Sequence, residues 1–372
     1  MIRVSFPRAA LSSLVVLAVL AFSVIPAASM SIRYNVIDIG HFSGLINDMN
    51  ESGQMVGHKD VDGENRGVMI DPSGDVTVMP TFGGPTSIAH AINDSGIVAG
   101  QADMASGTAF HALWEPGKSI TNIGWQQYRY GFAEGINDNG RMVGCAAVPG
   151  SVLHAFITGT SGTITDIGTL GGPFSIARDI NNLNQVTGDS ETVNGERHAF
   201  FWEEGGSMLD IGTLGGRESN GRSINNSGQV VGLTYLANNV QRAFLWDAQG
   251  GMIDLATPGG TSSYAEDIND SEQVVGNYSN SGSLRGFLWD RNMGCIDLTS
   301  AIDPSLNWRI QSASAINNQG WIGGRAYSYN DHMYHAYILQ PVPEPSALIV
   351  LLCGLPMLVL QHKGKRKQDS TL

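Results

Sequence analysis

Two groups of aromatic, amide and guanidinium side chains carry the clearest chemistry in this sequence: Trp125, Tyr128, Arg129 and Tyr130 in one stretch, Trp308 and Arg309 in another. Aromatic faces stack on sugar rings while arginine and amide groups bond their hydroxyls, so both groups are candidate carbohydrate contacts. Rings packing between structural units would account for the same residues. A further cluster, Tyr327, Tyr329, Asp331, His332 and Tyr334, falls in a different class of loop. Catalytic signals are thinner. No nucleophile elbow, zinc-binding helix or phosphate loop stands in the strand–helix context it needs. Carboxylates are plentiful, but spacing alone fixes no pair at a glycosidase separation. Asp60-Val61-Asp62-Gly63-Glu64-Asn65 is dense in oxygen ligands without the spacing of a calcium loop, and reads as a surface turn. His111, His154, His198 and His335 recur in similar strands, whereas Arg242 and Arg285 replace them in others, which points to packing residues. No catalytic residue, metal or cofactor is expected.

A repeat must position these residues. Ile224-Asn225-Asn226-Ser227-Gly228-Gln229-Val230-Val231-Gly232 recurs with Asn50, Asn93, Asn137, Asn181, Asn269 and Asn317 in the second place, at spacings of 43, 44, 44, 44, 44 and 48 residues. Such a period is a statement about architecture. Within one unit, Ile164–Gly168, 175–180, 185–188 and 198–202 are short alternating runs cut by glycine and asparagine, and four strands in that length make one propeller blade. The asparagine suits an Asx-turn, with the glycine after it left-handed; Asn184 and Glu272 replace that glycine in two copies. A calcium or sugar ligand is the rival role for these asparagines. The fold class expected is all-β, a seven-bladed β-propeller closed by the N-terminal strand. Residues 34–40 match the strand that otherwise follows His-Ala-Phe, and the last repeat lacks that partner. An open β-solenoid, with capping units at its ends, is the alternative.

Composition agrees and excludes some partners. The 372 residues include 47 glycines, an excess that without a Gly-X-Y period means many turns. Formal net charge is -13, and residues 31–340 hold 32 acidic against 15 basic groups, which disfavours a nucleic-acid partner. Cys145 and Cys295 lie too far apart in the repeats to suggest a disulfide framework.

The two ends read as addresses. Residues 1–30 combine Arg3 and Arg8, an apolar run and Pro26-Ala27-Ala28-Ser29, the pattern of a signal peptide. Residues 341–372 contain Val342-Pro343-Glu344-Pro345, an apolar run at 347–360 expected as a short transmembrane helix, and Lys363, Lys365, Arg366 and Lys367. This segment resembles the PEP-CTERM sorting signal of Gram-negative bacteria. The resemblance implies recognition by an exosortase-type sorting enzyme, transient residence in the inner membrane through the tail, and cleavage near Pro343-Glu344-Pro345. A plain C-terminal anchor is the alternative. The His154-Ala155-Phe156, His198-Ala199-Phe200 and Arg242-Ala243-Phe244 strands, with Asp-Ile-Gly-Thr-Leu-Gly-Gly at 166–172 and 210–216, resemble the HAF-repeat family of extracellular bacterial proteins. That resemblance implies location and repeat type but no reaction.

The sequence therefore describes a signal peptide (1–30), a repeat propeller (31–340) and a sorting segment (341–372). The expected product is a non-enzymatic binding or scaffold protein of the cell surface or extracellular matrix, with extracellular polysaccharide as partner. An extracellular carbohydrate-active enzyme on the same scaffold is the alternative. Because blades repeat, a site is sought where the loops at 125–132 and 299–311 break the pattern; both would lie on one face and share a rim.

Overall fold

Short alternating strands cannot bury their apolar faces alone, and side-by-side stacking solves that. In the computed structural model, which describes residues 33–123, 131–149, 152–159, 163–257 and 259–343, they form seven four-stranded antiparallel sheets. Residues 45–78, 83–122, 131–168, 171–210, 215–254 and 262–297 make blades 1 to 6. Blade 7 joins the ends of the ring: three of its strands are Trp308–Ile316, Ile322–Ser328 and Tyr334–Pro341, and its outer strand is Tyr34–His41. Tyr34 lies opposite Pro341 and His41 opposite His335. The first strands of all blades touch in a closed cycle, Leu45–Met49 meeting both Gly83–Ile92 and Trp308–Ile316. The protein is a seven-bladed β-propeller, and the open solenoid falls away.

Each strand type has a packing job. The apolar residues before the repeat glycines fill the space between blades, Val186, Val230 and Val274 being fully buried. The glycine marks where first and second strands come closest: a Cβ on Gly188 would overlap the carbonyl oxygen of Ile176. Phe200, Phe244 and Phe287 are fully buried, and Trp246 of blade 5 reaches Phe201 of blade 4 with ring centroids 5.6 Å apart.

The repeated asparagine closes its own turn and then reaches further. Asn225 Oδ1 accepts from the backbone N–H of Ser227 and of Gln229, at 3.1 and 3.0 Å. Asn184 and Glu272 stand at the glycine position with φ of 63° and 61°, the same left-handed geometry as Gly228. Asn225 Nδ2 donates to the backbone carbonyl of Asn269 in the next blade, 3.1 Å away. The same donation links Asn50 to Asn93, Asn93 to Asn137, Asn137 to Asn181, Asn181 to Asn225, Asn269 to Asn317 and Asn317 back to Asn50. A second ring runs through the next residue, where a backbone N–H donates to the neighbour's side chain: Glu51 to Asp94, Asp94 to Asp138, and finally Asn318 to Glu51.

The Asp60–Asn65 stretch is a two-residue hairpin turn, with Asp62 and Gly63 at φ of 56° and 85°. Cys145 and Cys295 are free thiols, each pushed up to about 12 chiefly by burial. No helix among the described residues is long and apolar enough to cross a membrane. The signal segment, Glu344, Pro345 and the apolar run at 347–360 lie outside the described residues, while Val342 and Pro343 follow the last strand, Val342 exposed.

Candidate ligand-binding channel

The first strand of every blade carries one extra residue three places before its asparagine. The pairing steps over Asn47, His90, Glu134, Arg178, Arg222, Glu266 and Ser314, each a β-bulge against the second strand. A bulge re-aims the side chain of the residue it inserts. All seven line one cavity of about 350 Å³ in the central channel, joined by Tyr264, Asn277 and Arg325. The small residue before it in most blades and the isoleucine two places after it repeat closely, and this column does not.

Most of the channel charges stand beside an opposite charge, whereas Arg325 bonds Gln311 and the Gly44 carbonyl. Arg222 Nη1 donates to Glu266 Oε2 at 2.8 Å, and Asn277 Nδ2 approaches Glu266 Oε1 at 3.4 Å. Arg178 Nε donates to Asp189 Oδ1 at 3.0 Å, where Asn220 Nδ2 also donates at 2.6 Å. His90 Nδ1 lies 3.5 Å from Glu134. Burial pulls the His90 imidazole below its ordinary value, against the raising effect of Glu134. Burial also raises the Glu266 carboxyl, which Arg222 opposes. Buried atoms of this region that make no hydrogen bond include His90 Nε2, Arg222 Nε, Asn220 Oδ1 and Asp189 Oδ2; the last lies 3.8 Å from Arg197.

At the asparagine end of the same channel, a hollow of about 170 Å³ is lined by both rings and by Asp48, Asp179 and Asp267. Each aspartate accepts from a backbone N–H of the following blade: Asp48 from Ile92, Asp179 from Ile224, Asp267 from Ile316. Burial raises all three carboxyls, Asp48 to about 6 and Asp267 to about 8, with Asp48 adding to the rise at Asp267.

Only one half of the rim expected between two loops falls among the described residues. Trp125, Tyr128, Arg129 and Tyr130 lie outside the described residues. Trp308 and Arg309 open the first strand of blade 7, opposite Ser328 and Tyr327, so they are strand residues and not loop residues. The extra length before them folds as two short 3-10 turns, Leu298–Ala301 and Pro304–Leu306, capped by Asp297 and Asp303. This register brings the tyrosine cluster onto the same side. The Arg309 guanidinium sits 5.6 Å from the Tyr327 ring, and Tyr327 packs edge-on against Tyr329 and Tyr334. Arg325 connects this crest to the channel, lying 4.6 Å over the Tyr334 ring while its Nε donates to Gln311.

The recurrent histidines have partners that the sequence reading missed. His154 and His198 bond Asp166 and Asp210 of the adjoining outer strand, both at 2.8 Å. Arg285 replaces the same bond to Asp297 at 2.9 Å. His111 is one register step away: Ala112, not Leu113, lies opposite Gly100 as Phe200 lies opposite Gly188. It is therefore turned to the other side of its strand, where its ring meets Phe156 and its Nε2 contacts the Cys145 carbonyl. In blade 7, His335 bonds Asp38 through Nδ1 at 2.8 Å and Asp331 through Nε2 at 2.9 Å, and His41 Nε2 reaches the same Asp331 oxygen at 3.0 Å. His41 stands where the repeats have Thr169 and Thr213, a substitution visible in the sequence.

No protein-family model matches the sequence, and no curated protein matches it. Solved structures do. A streptogramin B lyase shares 12% identity over 84% of this chain and 99% of its own, with a TM-score of 0.51. The acylaminoacyl peptidase of Pyrococcus horikoshii shares 12% over 86% of this chain and 55% of its own, at 0.50. TolB from Acinetobacter baumannii shares 11% over 82% of this chain, at 0.47, and the chain spans 65% of its length. Identity this low shows a shared propeller fold and nothing of the chemistry.

Proposed function

We propose that this propeller is an exported, non-enzymatic binding protein that holds a neutral glycan segment between its central channel and the blade 7 crest. The observation that carries the reading is the bulge column. One scaffold presents seven side chains to a common cavity, with Arg222 and Glu266 already paired, Arg178 held by Asp189 and Glu134 beside His90. A largely self-neutralised polar lining has donors and acceptors for hydroxyl groups and little surplus charge that would call for an ionic ligand. Trp308, Tyr329 and Tyr334 supply aromatic surface at the neighbouring crest. Binding of neutral oligosaccharides on a glycan array, with no reducing ends released on incubation, is the expected result. Trp308→Ala should weaken retention about tenfold, roughly 1.4 kcal/mol. Unchanged retention removes the crest from the site, and no retention of any glycan sinks the reading.

The enzyme reading keeps one specific support. His90 is neutral, backed by Glu134 and has no partner for Nε2, an arrangement able to accept a proton from a substrate. Turnover of a polysaccharide that disappears in His90→Ala would favour it.

Delivery belongs to the same proposal. The N-terminal signal pattern and the Pro343-Glu344-Pro345 segment support export and sorting by an exosortase-type enzyme. The expected mature protein, from a host carrying such an enzyme, has a new C-terminus near that motif by mass spectrometry. An intact tail on the surface protein would leave a plain anchor.

A further inference from the structure

The blade 7 cluster has the donor set of a metal site. His41 Nε2, His335 Nε2 and Asp331 Oδ2 all lie within 4.8 Å of one another, and this is the one such group among the described residues. Two of the three ligands are oriented by a second bond. His335 Nδ1 is held by Asp38, which points Nε2 at the cluster. Asp331 Oδ1 accepts from the Met333 N–H at 3.1 Å, which leaves Oδ2 to face both imidazoles. The turn that delivers Asp331 contains His332 at φ 62°, a left-handed non-glycine residue. His41 and His335 also meet ring to ring at 4.7 Å, edge-on.

We propose that these three atoms bind a divalent cation of the zinc class at the point where the ring closes. Two imidazole nitrogens and one carboxylate oxygen suit zinc, whereas calcium and magnesium take oxygen ligands. A carboxylate behind a ligating histidine, here Asp38, is the usual support for such a site. Tetrahedral zinc bonds of about 2.0–2.1 Å set donor atoms roughly 3.3 Å apart, so the two Nε2–Oδ2 separations of 2.9 and 3.0 Å need only a small spreading. His335 is buried while His41 and Asp331 have side chains 58% and 38% exposed, so the remaining coordination position faces solvent. The cation would join the N-terminal closing strand to the last hairpin, across 290 residues of sequence. Other blades lack the set: the next nearest carboxylate to His198 Nε2 is Glu196 at 3.9 Å, and Thr213 stands in place of the second histidine.

The test uses the tag-free full chain stripped with chelator. Titration with Co²⁺ should give visible d–d bands, and calorimetry with Zn²⁺ should show one site per chain. Zinc should raise the thermal midpoint. His41→Ala, at the exposed end of its strand, should lose the bands, the isotherm and the zinc-dependent shift. Asp38→Asn should weaken zinc by roughly 10- to 100-fold. If His335→Ala does not fold, His41→Ala alone decides. Bands or shifts that persist in His41→Ala overturn the site, as does stabilisation by Ca²⁺ equal to that by Zn²⁺, or no binding to the wild type.

Discussion

The side chain of Asn317 donates to the backbone carbonyl of Asn50, 3.3 Å away and 267 positions distant in sequence. That bond is the seventh of a ring whose other six join residues 43 to 48 apart. Each asparagine ties its own turn through Oδ1 and the next blade through Nδ2. The blades are thus held in registry at the channel by short polar bonds as well as by apolar packing between sheets.

Removing one member should cost more than a surface change. Asn225→Ala leaves the N–H groups of Ser227 and Gln229 without their acceptor and removes the bond to the next blade, although the Asn269 carbonyl keeps the Glu272 N–H; Asn225 is 4% exposed. Unsatisfied buried groups cost about 1–3 kcal/mol, so a loss of about 3 kcal/mol is expected. Its neighbour Asn226 makes its side-chain bonds, to Asp270 and from the Asn182 N–H, in the open, and Asn226→Ala should cost about 1 kcal/mol or less. Urea midpoints of the two variants measure the difference, and equal losses would refute a special role for the inner ring.

Deleting residues 34–41 tests closure. The strand brings the buried Tyr34 and the flanking Ile37 and Ile39 against blade 7, and covers an edge that would otherwise be unpaired. The expected result is a large fall in the midpoint of the whole domain, still in one transition. Loss of blade 7 protection alone in hydrogen exchange, with the other blades unchanged, would show a ring that does not depend on its closure.

Much of this architecture was legible because it repeats. The period located the blades, and the lone Tyr34–His41 strand found its partner by counting strand types. The Nδ2 bonds were not legible, since a turn is local and its neighbour lies a full blade away. The loops drew the search for a site, yet the channel lining sits inside the regular repeat, in the column His90, Glu134, Arg178, Arg222 and Glu266. That column varies while the residue before it and the isoleucine two places after it hardly do, which is a signal, but only the bulge explains why it faces the channel. Trp308 was misplaced because the length of 299–311 reads as loop until Arg309 is paired with Tyr327. The His335–Asp38 bond joins the two ends of the described chain, beyond any sequence window.

The aspartates at the channel predict a pH dependence. Unfolded, Asp267 ionises near 3.8; folded, burial and Asp48 raise it to about 8. The folded state then keeps a proton that the unfolded state has lost, so this contribution is complete below about pH 4 and is lost as pH rises through 8. His58 and His90, lowered by burial, work in the opposite sense below their ordinary value of 6.5. Above pH 6.5 wild-type stability should fall up to about pH 8.5; His335, whose burial is outweighed by Asp38 and Asp331 so that it lies above its ordinary value, adds to the fall, and the Asp267 share is read from the difference to its variant. Asp267→Asn should flatten that fall while lowering stability at acid pH, because its amide has one acceptor oxygen where the carboxyl serves the Ile316 and Ile268 N–H groups from two. Urea midpoints across the window check it, and parallel slopes would reject Asp267 as the titrating group.

Arg222 and Glu266 should behave as one unit. Their side chains are 36% and 20% exposed, so the pair is partly screened, and losing the arginine should cost about 1–2 kcal/mol, below the 3–5 typical of full burial. Most of that loss is the penalty of leaving Glu266 among channel walls without its counter-charge, where burial already raises its carboxyl. Glu266→Gln in the Arg222→Ala background removes the stranded charge and should restore part of the stability, a coupling of about 1 kcal/mol in a double-mutant cycle. The same reasoning separates structure from binding. If the pair also contacts the ligand, the double variant regains stability but not glycan retention. A coupling near zero would mean that solvent screens the pair and that the channel is more open to water than its geometry implies.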